Sequence, residues 1–271
     1  MASPKRINLN LSANESFNLF AQSFRRVKYF LFIADNISIS HLPQEHWEIG
    51  NKESVRFAIP TPPSNKIGGL VEGFQHFQRL YLVRDSIETF ALCLDDLCFK
   101  LLLAQSGTRH IPIGGTLHDS LEATEKAFLN EFKSNGVSPT KGKISKLKER
   151  FSLSLSEDIE RAIGSLKNVR DCLSHRNGIV SEKDGEAAKG GLRRIQWPAF
   201  ELFVLDHKTK KRSKLSFGTT YINGGTIELQ MIPRAKVFSV GEKLEFTSAE
   251  VFEIAQALNL AAQKYLSQIQ K

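Results

Sequence analysis

The chain has 271 residues and a formal net charge of +8, from 37 Lys and Arg against 29 Asp and Glu. Hydrophobic residues make up 41% and charged residues 24%, and a chain of this length buries a core without disulfide or metal staples. Those proportions exclude a disordered tail, a collagen-like fibre and a disulfide miniprotein.

In chain order, the first segment reads as a helix. Ser12-Ala-Asn-Glu15 fits a capping box, and Phe17, Phe20, Phe24, Val27, Leu31 and Ala34 follow at helical spacing, which predicts a helix over 13–35. Residues 36–69, with Pro43, Pro60, Pro62, Pro63 and Gly68-Gly69, read as an irregular connection. A long helix is expected over 71–105, where Leu80, Val83, Ile87, Phe90, Leu94, Leu97 and Leu101 recur every three or four residues. Arg109 to Gly115 reads as a loop, and a helix over 117–134 follows it. Residues 141–150 are basic, with possible helical spacing at Ile144, Leu147 and Phe151.

The next helix is marked by local chemistry at both ends. Ser154-Leu-Ser-Glu157 fits a capping box, and Glu157, Asp158 and Glu160 suit the positive end of the helix dipole. Asn177-Gly178 provides the stop. The predicted helix covers 156–177, with an apolar stripe of Ile159, Ile163, Leu166, Val169 and Leu173. Beyond a polar loop at 181–191, strands are expected over 200–206, 214–221 and 226–232. Asn223-Gly224 reads as a hairpin turn between the last two, and 237–246 offers one or two more strands. Thr247-Ser-Ala-Glu250 is a further capping box, opening a final helix to about residue 269. The fold class expected is mainly α: one helical-bundle domain over 1–271, with an antiparallel β insertion at 192–246 before the last helix.

Cys93, Cys98 and Cys172 form no C-x-x-C pair, and an odd count argues against a disulfide framework and for a reducing compartment. No apolar stretch at the start reads as a signal peptide, and none elsewhere reaches the ~18 residues of a spanning helix. A cytoplasmic protein without membrane contact is expected. Charge is uneven: residues 141–220 hold 18 basic and 10 acidic residues, the whole excess of +8. A basic surface of this kind suits a polyanion such as nucleic acid, and equally serves as a solvated face that keeps the chain soluble.

The phosphate loop, the zinc-protease helix and the nucleophile elbow are missing from the sequence. His41 and His46 lack paired ligand spacing, so no metal and no cofactor is expected. The motif that stands out is Arg170-Asp171-Cys172-Leu173-Ser174-His175, in the last turns of the capped helix and inside the basic region. No other histidine of the chain has an arginine five to seven residues before it.

This segment resembles the R-x(4–6)-H motif of the HEPN superfamily, whose members are helical bundles. A polar residue directly after the arginine is common in that family, and Asp171 matches it. The likeness covers the six motif residues and, loosely, their helix. It implies a metal-independent endoribonuclease acting as a homodimer, in a toxin–antitoxin or antiphage setting with a possible antitoxin or defence-system partner protein. His175 would then move the proton of the ribose 2′-hydroxyl or the leaving oxygen, and an imidazole titrates in the range for either role. Arg170 would hold the scissile phosphate, and Asp171, four residues before His175 on one helix face, would orient the imidazole. The products implied are a 2′,3′-cyclic phosphate and a 5′-hydroxyl. One subgroup carries a tyrosine two residues after the histidine as a modification site. Asn177 stands there in this chain, so the resemblance does not extend to that control.

Residues expected to contact RNA are Lys167 and Arg176 beside the motif, and Lys208, Lys210, Lys211 and Arg212 on the β insertion. The β-insertion cations serve equally as a charged edge that resists aggregation. Two other readings stay open. One is a catalytically silent helical module that binds RNA or protein, or serves as a dimer scaffold. There Arg170 would pair with an acid of the long helix: Asp85, Glu88, Asp95 or Asp96. The other is an enzyme built on the 109–118 loop.

Overall fold

The computed structural model describes residues 13–37, 46–49, 57–60, 64–106, 116–133, 141–184, 193–215, 220 and 222–269. The expected capping box at 12–15, the loop at 109–115, His41 and the 185–191 segment lie outside the described residues or side chains. The described elements are mainly helical, with a small antiparallel sheet before the last helix. In chain order they are α1 (Ala13–Asn36), β1 (His46–Ile49), β2 (Phe57–Pro60), α2 (Ser64–Ser106), α3 (Leu117–Phe132), α4 (Lys141–Phe151) and α5 (Glu157–Arg176). Then come β3 (Arg193–Asp206), β4 (Arg212–Lys214), β5 (Gly225–Phe238) and α6 (Ser248–Ile269).

The connection expected to be irregular at 36–69 is not so throughout. β1 and β2 pair antiparallel, Trp47 opposite Ile59, and α2 already begins at Ser64. Gly68-Gly69 was a break signal by sequence, yet both lie inside α2; each helical glycine costs about 1 kcal/mol against alanine, which a 43-residue helix absorbs.

α1 and α2 run antiparallel. Phe20 meets the Phe90 ring edge-on at 5.8 Å, and Ser23 Oγ donates to Asp85 at 3.1 Å. At the other end Gln75 Nε2 donates to the Ala34 carbonyl at 2.9 Å. α6 joins them through Phe24–Phe252 and through Ser248, whose hydroxyl links Arg79 and Asp35. The Thr247–Glu250 capping box forms as expected, with both reciprocal bonds present. One cluster of buried apolar side chains draws on α1, α2, α3, α4, α5, β3, β5 and α6.

The sheet order is β4-β3-β5. This corrects the expected strands. β3 and β5 are each 14 residues and pair along their full length, whereas β4 has three residues. Asn223-Gly224 does not join two neighbouring strands, because β4 and β5 flank β3 on opposite sides. It instead leads into β5, with the Asn223 amide on Asp206 Oδ2 at 3.1 Å and Gly224 at φ +63°. Among the described residues, 239–246 adds no strand beyond an isolated bridge, Ile179 to Lys243. Pro198 and Pro233 face each other across β3 and β5, a pairing tolerable only where neither strand needs to donate an N–H.

β3 docks on α5 and α6. Ile195, Trp197 and Ala199 alternate into the core, and the Trp197 indole donates to Glu253 on α6 at 2.8 Å. The Ser165 hydroxyl of α5 serves both backbone groups of Gln196, accepting its N–H at 2.9 Å and donating to its carbonyl at 3.0 Å. That satisfies the β3 edge where β4 does not reach.

Candidate functional site

α5 spans almost the expected residues. Its N-cap is Ser156, with extended backbone and no side-chain cap bond, so the expected Ser154–Glu157 box is not made. Ile159, Ile163, Leu166 and Val169 are buried as expected. Cys172 is buried with them, its thiol on the Ile179 carbonyl at 3.2 Å, and Leu173 is half-buried. The stop uses both Asn177 (φ +51°) and Gly178 (φ +79°) in the left-handed region, and the Gly178 N–H returns to the Cys172 carbonyl. Helix and stop together fix where Arg170 and His175 project.

Arg170 faces α2. Its Nε lies 3.6 Å from Glu88 Oε1, and its Nη1 donates to Asp171 Oδ1 at 2.9 Å. The acid that receives it is therefore one of the four named from sequence. The guanidinium borders a cavity of about 290 Å³ together with Glu88, Leu92, Asp95, Lys143 and Lys167. Lys143 of α4 is buried and paired with Asp95, so one cation of this cavity is already neutralised.

Asp171 does not orient His175. Its second oxygen, Oδ2, accepts from Lys167 Nζ at 2.9 Å, and its first is taken by Arg170. Both spacings compete on one helix: Lys167 precedes Asp171 by four residues, as Asp171 precedes His175, and the ammonium wins the carboxylate. Burial works against the Asp171 carboxylate, but hydrogen bonds from Arg170 and Lys167 outweigh it and hold its pKa below the ordinary value. His175 is exposed and makes no hydrogen bond among the described residues. It lies five residues beyond Arg170, roughly 140° round the helix and about 7.5 Å along it. One chain thus holds the two motif residues on different faces of α5.

The other expected RNA contacts divide. Arg176 is committed within the chain: its Nε donates to Asp184 Oδ2 at 2.9 Å and its Nη2 to Oδ1, and Asp184 is buried. Asp184 also accepts from the Ser181 N–H and hydroxyl. Arg176 therefore clamps the chain after α5 rather than presenting a free cation. Lys208, Lys210 and Lys211 are exposed on the turn between β3 and β4, which Asp206 organises by accepting the N–H groups of Lys208 and Thr209. Those bonds and that from Asn223 bring its pKa down to about 2. Arg212 lies over the Phe203 ring at 4.3 Å and pairs with Glu228 at 3.2 Å. Ten residues separate Asp206 from Gln196, where β3 meets α5, about 30 Å of strand. The structure does not bring the turn lysines to Arg170.

Lys143 and Leu92 were not anticipated, and Asp95, named from sequence as a partner for Arg170, pairs with Lys143 instead. Only the basic pattern of 141–150 hinted at Lys143, and nothing in the sequence marked it as buried. Among the described residues no group of three or more His, Cys, Asp or Glu is arranged to hold a metal ion. No described helix is long and apolar enough to cross a membrane. No family model, curated protein or solved structure matches the chain.

Proposed function

We propose that the chain is a HEPN-like, metal-independent endoribonuclease that works as a homodimer. The observation that supports this most is the R-x4-H spacing at the C-terminal end of α5, with His175 exposed and unbonded and Arg170 bordering a cavity lined also by Lys143, Lys167, Glu88 and Asp95. In this reading His175 exchanges the proton of the ribose 2′-hydroxyl or the 5′-oxygen that leaves. Arg170 holds the scissile phosphate with its paired N–H groups. Its displacement from Glu88 is the step that admits the phosphate. A second chain brings its own α5 to the cleft and so places an arginine beside a histidine that one chain holds apart. Lys167 adds local positive charge, and the 208–212 turn acts as a separate contact for the RNA backbone. The three cysteine side chains are buried and none is in a disulfide, which fits a reducing, cytosolic setting. A toxin–antitoxin or antiphage role, with an antitoxin or defence partner, follows from the family reading alone.

A second reading is favoured by one specific observation. Arg170 is already held by Glu88 and Asp171, as in a helical module that binds RNA or protein without cleaving. Incubation of varied RNAs with the purified chain in EDTA separates the two. Fragments ending in 2′,3′-cyclic phosphate and 5′-hydroxyl support the nuclease. No cleavage supports the silent module, and cleavage only with added metal contradicts a metal-independent nuclease.

A further inference from the structure

The solvent face of α2 carries an apolar series that the core does not use. Leu70, Phe74, Phe77 and Tyr81 recur every three or four residues and are all exposed, Phe77 by 63% and Tyr81 by 51%. Isolated apolar residues on a surface are ordinary, whereas a contiguous run marks a contact. The rings of Phe77 and Tyr81 are stacked, centroids 6.5 Å apart and planes at 22°. They border a cavity of about 420 Å³ between α2 and the C-terminal end of α5, also lined by His76, Arg84, Asn177 and Lys243. His76 Nε2 is buried and has no hydrogen-bond partner. Arg84 and Lys243 supply positive charge at the rim, Arg84 in a salt bridge to Glu88.

The series leads to the motif. Tyr81, Arg84 and Glu88 succeed one another along α2, and Glu88 touches Arg170. Tyr81 and Glu88 are two turns apart, about 10 Å along the axis. The Arg170–Glu88 contact and this cavity thus lie about two turns apart along α2.

We propose that the cavity is a nucleobase subsite for single-stranded RNA. An unpaired base stacks on Phe77 and Tyr81, and Arg84 and Lys243 attract the flanking phosphates. Exposed aromatics beside cations are the combination that single-strand binders use, because every base has a π-face and every linkage a charge. Burial first and Lys243 next lower the His76 pKa, and Glu245 opposes them. This subsite rests on the RNA reading above and extends it to unpaired substrate.

The test is binding of a short fluorescein-labelled single-stranded RNA, and of its duplex, to the full chain carrying His175→Ala so that the probe survives. Into that background go Phe77→Ala, Tyr81→Ala and Tyr81→Phe. Each alanine variant is expected to raise the single-strand Kd by roughly 5- to 150-fold, the worth of one base stack. Tyr81→Phe retains affinity, and duplex binding is unchanged. Unaltered single-strand affinity in both alanine variants overturns the subsite, as does equal loss for duplex or no binding at all. A change of oligomeric state in those variants with RNA affinity intact overturns it in favour of a protein interface. Cleavage by the natural chain together with unaltered affinity sinks the subsite alone. Aromatic-dependent binding without any cleavage sinks the nuclease and leaves the subsite standing.

Discussion

Arg170 Nε sits 3.6 Å from Glu88 Oε1, joining α5 to the middle of α2. Both side chains are about one-third exposed, so the pair is worth less than ~1 kcal/mol. A contact this weak holds the guanidinium in place without locking it, and a phosphate competes for it. Glu88→Gln should leave thermal stability within about 1 kcal/mol of the natural chain. It should also tighten RNA binding, because Arg170 loses one of its two carboxylate competitors and keeps only Asp171. Calorimetry and RNA titration of this variant check both; weaker binding would mean that Glu88 orients Arg170 rather than restrains it.

Asp171 predicts a pH dependence. Its folded pKa lies below the unfolded value, so its stabilisation is present above about pH 3.9 and is lost as pH falls through the folded pKa. Asp171→Asn should therefore be less stable than the natural chain at neutral pH and converge with it in acid. Urea unfolding at a series of pH values reads the difference directly, and a gap independent of pH would contradict the assignment.

Arg176 and Asp184 should behave as structure rather than as substrate contacts. Asp184→Ala strips a buried carboxylate that accepts from Arg176 and Ser181, at a cost of about 2–3 kcal/mol. Urea midpoints measure it. A neutral substitution would return Arg176 to the set of free cations.

The extent to which the sequence disclosed this arrangement varied with how local the cause was. α5 was legible to within a residue at each end, because acidic residues open it and Asn177-Gly178 stops it. The buried stripe of α2 was legible from its spacing, but its start was not: glycines that break short helices are tolerated in one braced by α1 and α6. Strand order depends on what β3 meets in space, so an Asn-Gly pair misled. At the site, four acids stood on α2 as partners for Arg170, and only the crossing of two helices selects Glu88. The capture of Asp171 by Lys167 was readable from a spacing of four. The exposure of Phe77 and Tyr81 was not, since helical spacing alone does not tell a core face from a solvent face.

Gly164 lies within α5, and a methyl group there would meet nothing within 4 Å. Gly164→Ala should stabilise the chain by about 1 kcal/mol through helix propensity. A rise in Tm checks it, and a fall would show that α5 packs more tightly at this point than its surroundings indicate.

The thiols should be silent in the folded chain. Burial raises Cys93 to about 11 and pushes Cys98 higher still, and the side chains of all three cysteines are buried. Ellman's reagent should label none of them until denaturant is added; prompt labelling would place one on an opening segment.

The measurement closest to the central claim is the rate of RNA cleavage in EDTA by the natural chain, by Arg170→Ala, by His175→Ala and by the double variant. If the two residues serve one site, each single change abolishes cleavage and the double variant is no slower than the worse single, since groups that act as a unit are not additive. Cleavage that survives in either single variant at the natural rate would contradict the account.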